Sequence, residues 1–198
     1  LPIVNAGNDI SLCNGNQATL NATGAQSYIW DNGVLNGISF VATSTTTYTV
    51  IGTDLNGCEN TDSLELTILS LPQVEAGIDL SVCTGDSITL NGTGALTFSW
   101  ENGVSNGISF APPSTSYYTV TGTDLNGCNN TDSLLVTVFN LPFVDAGIDT
   151  SLCEGSSFVL NASGAQSYTW SNGALNGSSL TPVSTSTYLV TGVDLNGC

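Results

Sequence analysis

Six cysteines and sixteen carboxylates are the side chains here with chemistry to offer, and no Lys, Arg or His accompanies them in the 198 residues. Without His or Lys the chain lacks the usual general base and the Schiff-base amine. A nucleophilic cysteine would have no basic partner. A zinc site would have to be assembled from distant single cysteines, because there is no C-x-x-C pair and no His. Six regularly placed cysteines in a chain free of Met and of cations therefore read as disulfides in an oxidising, extracellular setting. Paired carboxylates can cleave glycosides, but the same pairs recur along the chain, and many identical active sites are not expected. No catalytic residue is assigned.

The carboxylates also recur in phase. Asp54, Asp124 and Asp194 stand in D-L-N-G turns, Asp9, Asp79 and Asp149 follow V-x-A-G, and Asp62 and Asp132 follow a cysteine. Oxygen ligands gathered in this way could hold structural calcium. Their spacing does not fit a D-x-[DN]-x-[DN]-G loop, and Asp accepting backbone N–H groups in a turn is the preferred reading. No metal ligand and no cofactor is expected. The net charge of −16 excludes the counter-charge that nucleic acid or an anionic membrane surface requires. At 40% hydrophobic residues the chain can still build packed cores. No apolar run reaches the length of a membrane helix, so no membrane insertion is expected.

The elements that must position these residues come in three copies. Leu1, Leu71 and Leu141 open copies spaced 70 residues apart, and copies one and two match at 42 of 70 positions without a gap. The domains are read as 1–70, 71–140 and 141–198, the third ending before its last strand. Because the chain lacks Met it reads as an internal stretch of a longer protein. Within a copy, Thr, Val, Ser and Tyr alternate in short runs between Asn-Gly turns, and no helical period appears. Copy one gives strands at 3–5 with 9–12 (A and A′), 17–22 (B), 27–31 (C), 37–42 (E), 46–54 (F) and 63–69 (G). This pattern predicts an all-β fold of tandem immunoglobulin-like sandwiches in an extended rod. Trp30, Trp100 and Trp170 on strand C are core anchors, preferred over a sugar-stacking platform, and Tyr48, Tyr118 and Tyr188 occupy the tyrosine-corner position of strand F.

Strand direction then bears on which cysteines meet. The default closes Cys13 onto Cys58 inside one copy. Cys13, however, ends A′ at one pole of the sandwich, and Cys58 follows F at the other. Residues 48–54 alone span about 20 Å, while bonded cysteines need Cα atoms within about 7 Å. The F–G loop of the next copy lies near the same pole as Cys13. The expected pairs are Cys13–Cys128 and Cys83–Cys198, leaving Cys58 and Cys153 for flanking domains.

The motifs V-x-A-G-x-D, C-x-G-x-x-x-x-L-N, W-x-N-G-x-x-N-G, T-Y-x-V-x-G and D-L-N-G-C run through all three copies. In this ordered set the chain resembles the Ig-like/PKD-like repeats of very large Bacteroidota surface proteins, including giant gliding adhesins of the SprB type. The resemblance implies a bacterial cell-surface location and brings in an O-glycosylation pattern, Asp-Ser/Thr-aliphatic, matched at Ser63, Ser87 and Ser133. The expected role is a structural stalk or filament segment that bears tension and displays a distal binding region. Its partners would be flanking repeats of the same chain, lateral or end-to-end copies, and a surface glycan or protein at the tip. Two alternatives stand beside it: glycan recognition through loops such as 31–37, and a filament built by strand exchange.

Overall fold

The computed structural model describes residues 1–198 and is built of strands and turns. The first copy supplies β1 (Ile10–Cys13), β2 (Gln17–Thr19), β3 (Ser27–Trp30), β4 (Ser39–Val41), β5 (Thr46–Thr53) and β6 (Glu59–Leu69). The second supplies β7 (Leu80–Cys83), β8 (Ile88–Thr89), β9 (Thr97–Trp100), β10 (Ser109–Phe110), β11 (Ser116–Thr123) and β12 (Asn129–Phe139). The third supplies β13 (Phe158–Val159), β14 (Ser167–Trp170), β15 (Ser179–Leu180) and β16 (Val190–Val193).

In the first copy one sheet has the order β1-β6-β5-β3 and the other pairs β2 with β4. The bridge Asn5–Thr23 adds the opening segment to the β2 side. Strand β5 runs antiparallel to β6 over eight residue pairs, while β1 runs parallel to β6 from Ile10↔Leu66 to Cys13↔Leu69. The second copy repeats the order as β7-β12-β11-β9 with β8 on β10. This is the arrangement of an immunoglobulin-like sandwich. In the third copy residues 150–153 form no strand. Their counterparts β1 and β7 each pair with the sixth strand of their copy, and no such strand is present here.

Alternation explains the core. Along β5 the buried Tyr48, Val50 and Gly52 alternate with exposed or half-buried residues, and Leu64 and Leu66 do the same on β6. With Val4, Ala6, Ala18, Leu20, Ala22, Trp30 and Ala42, the side chains of Tyr48, Val50, Leu64 and Leu66 close one apolar cluster. The Trp30 indole N–H donates to Asn36 Oδ1 (3.0 Å), which also accepts the Ala22 N–H (2.7 Å). Asn106 and Asn176 hold Trp100 and Trp170 in the same way, at 2.9 and 3.0 Å. A buried indole needs such a partner, which gives the W-x-N-G-x-x-N-G motif its second Asn.

The tyrosines distribute differently from the sequence reading. The Tyr48 ring packs edge-on against Phe40, with centroids 5.5 Å apart. A hydroxyl-to-backbone clasp is found on strand C, where Tyr28 Oη donates to the Ala25 carbonyl and accepts the Ala25 N–H, both at 2.8 Å. Tyr168 clasps Ala165 alike. At Tyr48 and Tyr118 the corner position assigned to strand F is thus a buried core-packing position.

Chain contacts divide the molecule into two compact units. One comprises Leu1–Glu75, Gly92–Ser99 and Val120–Asp132, the other Ala76–Asn91, Trp100–Thr119 and Ser133–Cys198, so the division runs through the second copy. Cys13 and Cys128 fall in the first unit, Cys83 and Cys198 in the second.

One coupled exchange separates the second copy from the others. Phe98 stands where the other copies have Tyr28 and Tyr168, and Gly92 stands where they have Ala22 and Ala162. A methyl group at Gly92 would lie 2.7 Å from Phe98 Cδ1 and 3.0 Å from Val120 Cγ2. The Phe98 ring therefore occupies the room that alanine fills elsewhere. Gly92→Ala is expected to destabilise by about 1–3 kcal/mol through overpacking. Adding Phe98→Tyr should recover part of that loss by drawing the ring toward the backbone clasp, as chemical denaturation of the single and double variants would show.

Candidate functional site: the cysteine-bearing turns

The D-L-N-G-C segment folds around its own aspartate. Asp54 Oδ1 accepts the N–H groups of Asn56 (2.8 Å) and Cys58 (2.9 Å), while the Asp54 N–H donates to the Cys58 carbonyl (3.0 Å). Asp124 and Asp194 hold Cys128 and Cys198 with the same 2.9 Å bond. Gly57, Gly127 and Gly197 adopt φ of 77°, 81° and 85°, a left-handed conformation that favours glycine. Of the carboxylates considered for calcium, Asp54, Asp124 and Asp194 are therefore spent on fixing the cysteine backbone. Among His, Cys, Asp and Glu no group of three is placed to hold a metal ion.

In the first two copies the other cysteine, Cys13 or Cys83, ends the first strand. Asn14 N–H donates to the Leu69 carbonyl (2.8 Å) and Asn16 N–H to the Cys13 carbonyl (3.0 Å), and Thr84 and Asp86 repeat these bonds around Cys83. Within one copy the two cysteines lie at opposite ends of β6: Cys13 is in register with Leu69, and Cys58 directly precedes Glu59. Eleven extended residues separate them, about 35 Å, far beyond disulfide reach.

The structure joins Cys13 to Cys128 and Cys83 to Cys198, each with a Cα–Cα distance of 5.5 Å and a sequence separation of 115. Cys128 is fully buried in its bond. Cys58 and Cys153 are exposed free thiols. Each bond follows one rule: the turn after the first strand of one copy meets the D-L-N-G-C turn of the next.

The three serines singled out in the sequence are all exposed. Ser87 precedes β8, and Ser63 and Ser133 lie within β6 and β12. They occupy the halves of those strands that β1 and β7 do not reach, since parallel pairing begins only at Leu66 and Val136. Side chains cover that open edge. Thr61 N–H donates to Asn60 Oδ1 (3.0 Å), Glu65 N–H to Asp9 Oδ1 (2.8 Å), and Ala6 N–H to Asp62 Oδ2 (2.7 Å). In the second copy Thr131 donates to Asn130 and Leu135 to Asp79. The roles of Asn36 and Asn60 were missed from sequence, although both recur in phase.

No protein-family model matches the chain, and no curated protein matches it in sequence. Several solved structures of tandem immunoglobulin domains are similar to it. The insect immune protein hemolin is 18% identical, with 70% of this chain and 47% of hemolin covered and a TM-score of 0.37. The N-terminal eight Ig domains of DSCAM are 18% identical over 89% of this chain and 35% of theirs, with a TM-score of 0.38. Sidekick-1 domains 1–5 are 19% identical over 96% of this chain and 52% of theirs, with a TM-score of 0.34. The chain thus spans about half or less of each, and the sandwich assignment rests on the strand pairing.

Two carboxyls carry a pH signature. The Ala6 N–H, then the Ser63 N–H, hold Asp62 below its ordinary 3.8 against a small opposing effect of burial. The Cys198 N–H, above all, lowers Asp194 in the same direction. A carboxyl depressed by folding stabilises fully above its unfolded pKa, and that contribution is lost as pH falls through the folded value. The melting temperature should therefore be insensitive to these groups at about pH 5–7 and fall below about pH 4. Asp62→Asn should flatten the acid limb; thermal melts showing an unaltered limb would contradict this assignment.

Proposed function

We propose that the chain is a segment of an extracellular stalk or filament, in which tandem sandwich repeats at 1–70, 71–140 and 141–198 bear tension and hold a distal binding region away from a bacterial surface. The observation that carries this reading is the interlocking of the two disulfides. The loop from Cys13 to Cys128 overlaps the loop from Cys83 to Cys198. A pull between Cys13 and Cys198 therefore follows both disulfides and about 45 residue steps from Cys83 to Cys128, in place of about 185. At about 3.5 Å per extended residue the bonds withhold roughly 490 Å of extension. A chain with that covalent topology resists stretching even after its sandwiches open.

Other features agree. Disulfides belong to oxidising compartments, and no helix is long and apolar enough to cross a membrane. With no Lys or Arg the chain has no trypsin site and cannot form Lys–Asn isopeptide cross-links. The reading extends to flanking repeats of the same kind, which take Cys58 and Cys153, and to a Bacteroidota adhesin of the SprB type as the parent protein. Ser63, Ser87 and Ser133 are its proposed O-glycosylation sites, each exposed and preceded by Asp.

A second reading, glycan binding, has one observation in its favour. A groove of 540 Å³ opens in the second copy at the loop equivalent to 31–37, lined among others by Asn102, Val104, Ile108, Phe110 and Ser114. Glycan-array binding by the whole chain, abolished by Asn102→Ala, would favour it over the stalk.

Stretching single molecules between terminal handles tests the stalk. Reduction of the disulfides is expected to lengthen the fully extended chain by roughly 490 Å. An equal final length before and after reduction would overturn the reading.

A further inference from the structure

The six cysteines follow one another as Cys13, Cys58, Cys83, Cys128, Cys153 and Cys198. Neither disulfide joins neighbours in that order. Cys58 and Cys83 lie between Cys13 and Cys128, and Cys128 and Cys153 lie between Cys83 and Cys198. In an unfolded chain the statistics run against such pairs, because the cost of closing a loop rises as the logarithm of its length. Cys13 meets Cys58, 45 positions away, about four times as readily as Cys128, 115 away. Cys58 and Cys83, only 25 apart, are favoured about tenfold.

Folding reverses the preference. The eleven residues of β6 separate Cys13, in register with Leu69, from Cys58, which precedes Glu59. The eleven of β12 separate Cys83, in register with Phe139, from Cys128, which precedes Asn129. Neither consecutive pair can close without undoing these strands. The native bond is also protected once made. Cys128 is fully buried, and thiol attack on a disulfide requires access to a sulfur.

We propose that the sandwiches of this chain form before their cysteines oxidise, and that any bond made earlier between consecutive cysteines is reopened by thiol–disulfide exchange. Cysteine order and strand length carry this, whatever load the chain bears. On the direct route the oxidant is a small disulfide such as oxidised glutathione, which takes two electrons and two protons from each native pair and leaves as two thiols.

The corrective route needs a thiol and is redox-neutral. Its thiolate attacks the Cys58 sulfur of a Cys13–Cys58 bond, forming a mixed disulfide and expelling the Cys13 thiolate. The Cys13 thiolate attacks the Cys128 sulfur of a Cys83–Cys128 bond, forming Cys13–Cys128 and expelling the Cys83 thiolate. That thiolate forms Cys83–Cys198 from a Cys153–Cys198 bond in the same way, leaving Cys153 as the thiolate. Three disulfides enter and three remain, counting the mixed one.

The test uses the full 198-residue chain, reduced in guanidinium chloride. In one arm oxidised glutathione acts in the denaturant, residual thiols are alkylated, and the denaturant is then removed. In the other the denaturant is removed first and oxidised glutathione follows. Mass spectrometry of peptic peptides reads the pairs. The first arm should give consecutive pairs at least about fourfold over Cys13–Cys128, and the second Cys13–Cys128 with Cys83–Cys198. Reduced glutathione should convert the first product to those native pairs, while a thiol-free control stays unchanged. Cys13–Cys128 as the main product in denaturant, consecutive pairs after folding, conversion without thiol, or none with it would each overturn the proposal.

Discussion

The length of the sixth strand sets the covalent plan of this protein. Strand β6 runs eleven residues, bonded along β5 on one side and, over its second half, along β1 on the other. Because β1 lies parallel to it, Cys13 is drawn to its far end, while Cys58 stands at its beginning. A disulfide inside one copy would require the sandwich to be dismantled. The thiols are left to find partners in neighbouring copies, and the two bonds formed at equal separation make overlapping loops. Chain-entropy arguments give a loop of this size about 4–5 kcal/mol of stabilisation. Its mechanical consequence is larger, because the overlap shortens the covalent path between the outer cysteines.

A chain without side-chain cations must also solve an electrostatic problem. Its carboxylates have no Lys or Arg to meet, so backbone N–H groups take that part. Asp54, Asp124 and Asp194 fix the cysteine turns, Asp9 and Asp79 reach the sixth strands, and Asp62 ties the opening segment to β6. The Asp9 and Asp79 bonds occupy the Glu65 and Leu135 N–H groups along an edge that would otherwise template another strand. Side-chain acceptors thus limit the strand exchange that sandwiches of this kind invite, while their negative charge keeps like surfaces apart.

Much of the first sheet was legible because half-buried strands alternate. The runs around Trp30, Tyr48 and Leu66 show that alternation, and their strands lie within a residue or two of expectation at most ends. The start of β6 was not legible. Glu59, Asn60, Thr61 and Asp62 carry no apolar alternation, since that half of the strand faces solvent on an edge covered by side chains. The clasp of Tyr28 was equally hidden, because it depends on how close the Ala25 turn approaches strand C. The exchange of Ala22 with Tyr28 for Gly92 with Phe98 can be seen in sequence as two differences. Only packing shows that they are one.

By itself the sequence determined the repeat, the β character and the exclusion of cation-dependent chemistry, since these follow from composition and short-range pattern. It also confined each cysteine to one pole of a sandwich, because strand length is a local property. Tertiary structure decided the rest: that the first strand pairs in parallel with the sixth, that Asp9 and Asp79 reach the sixth strands, and that the cysteines of successive copies come within bonding distance. Those outcomes depend on contacts between residues far apart in the chain, whose distances no local pattern records.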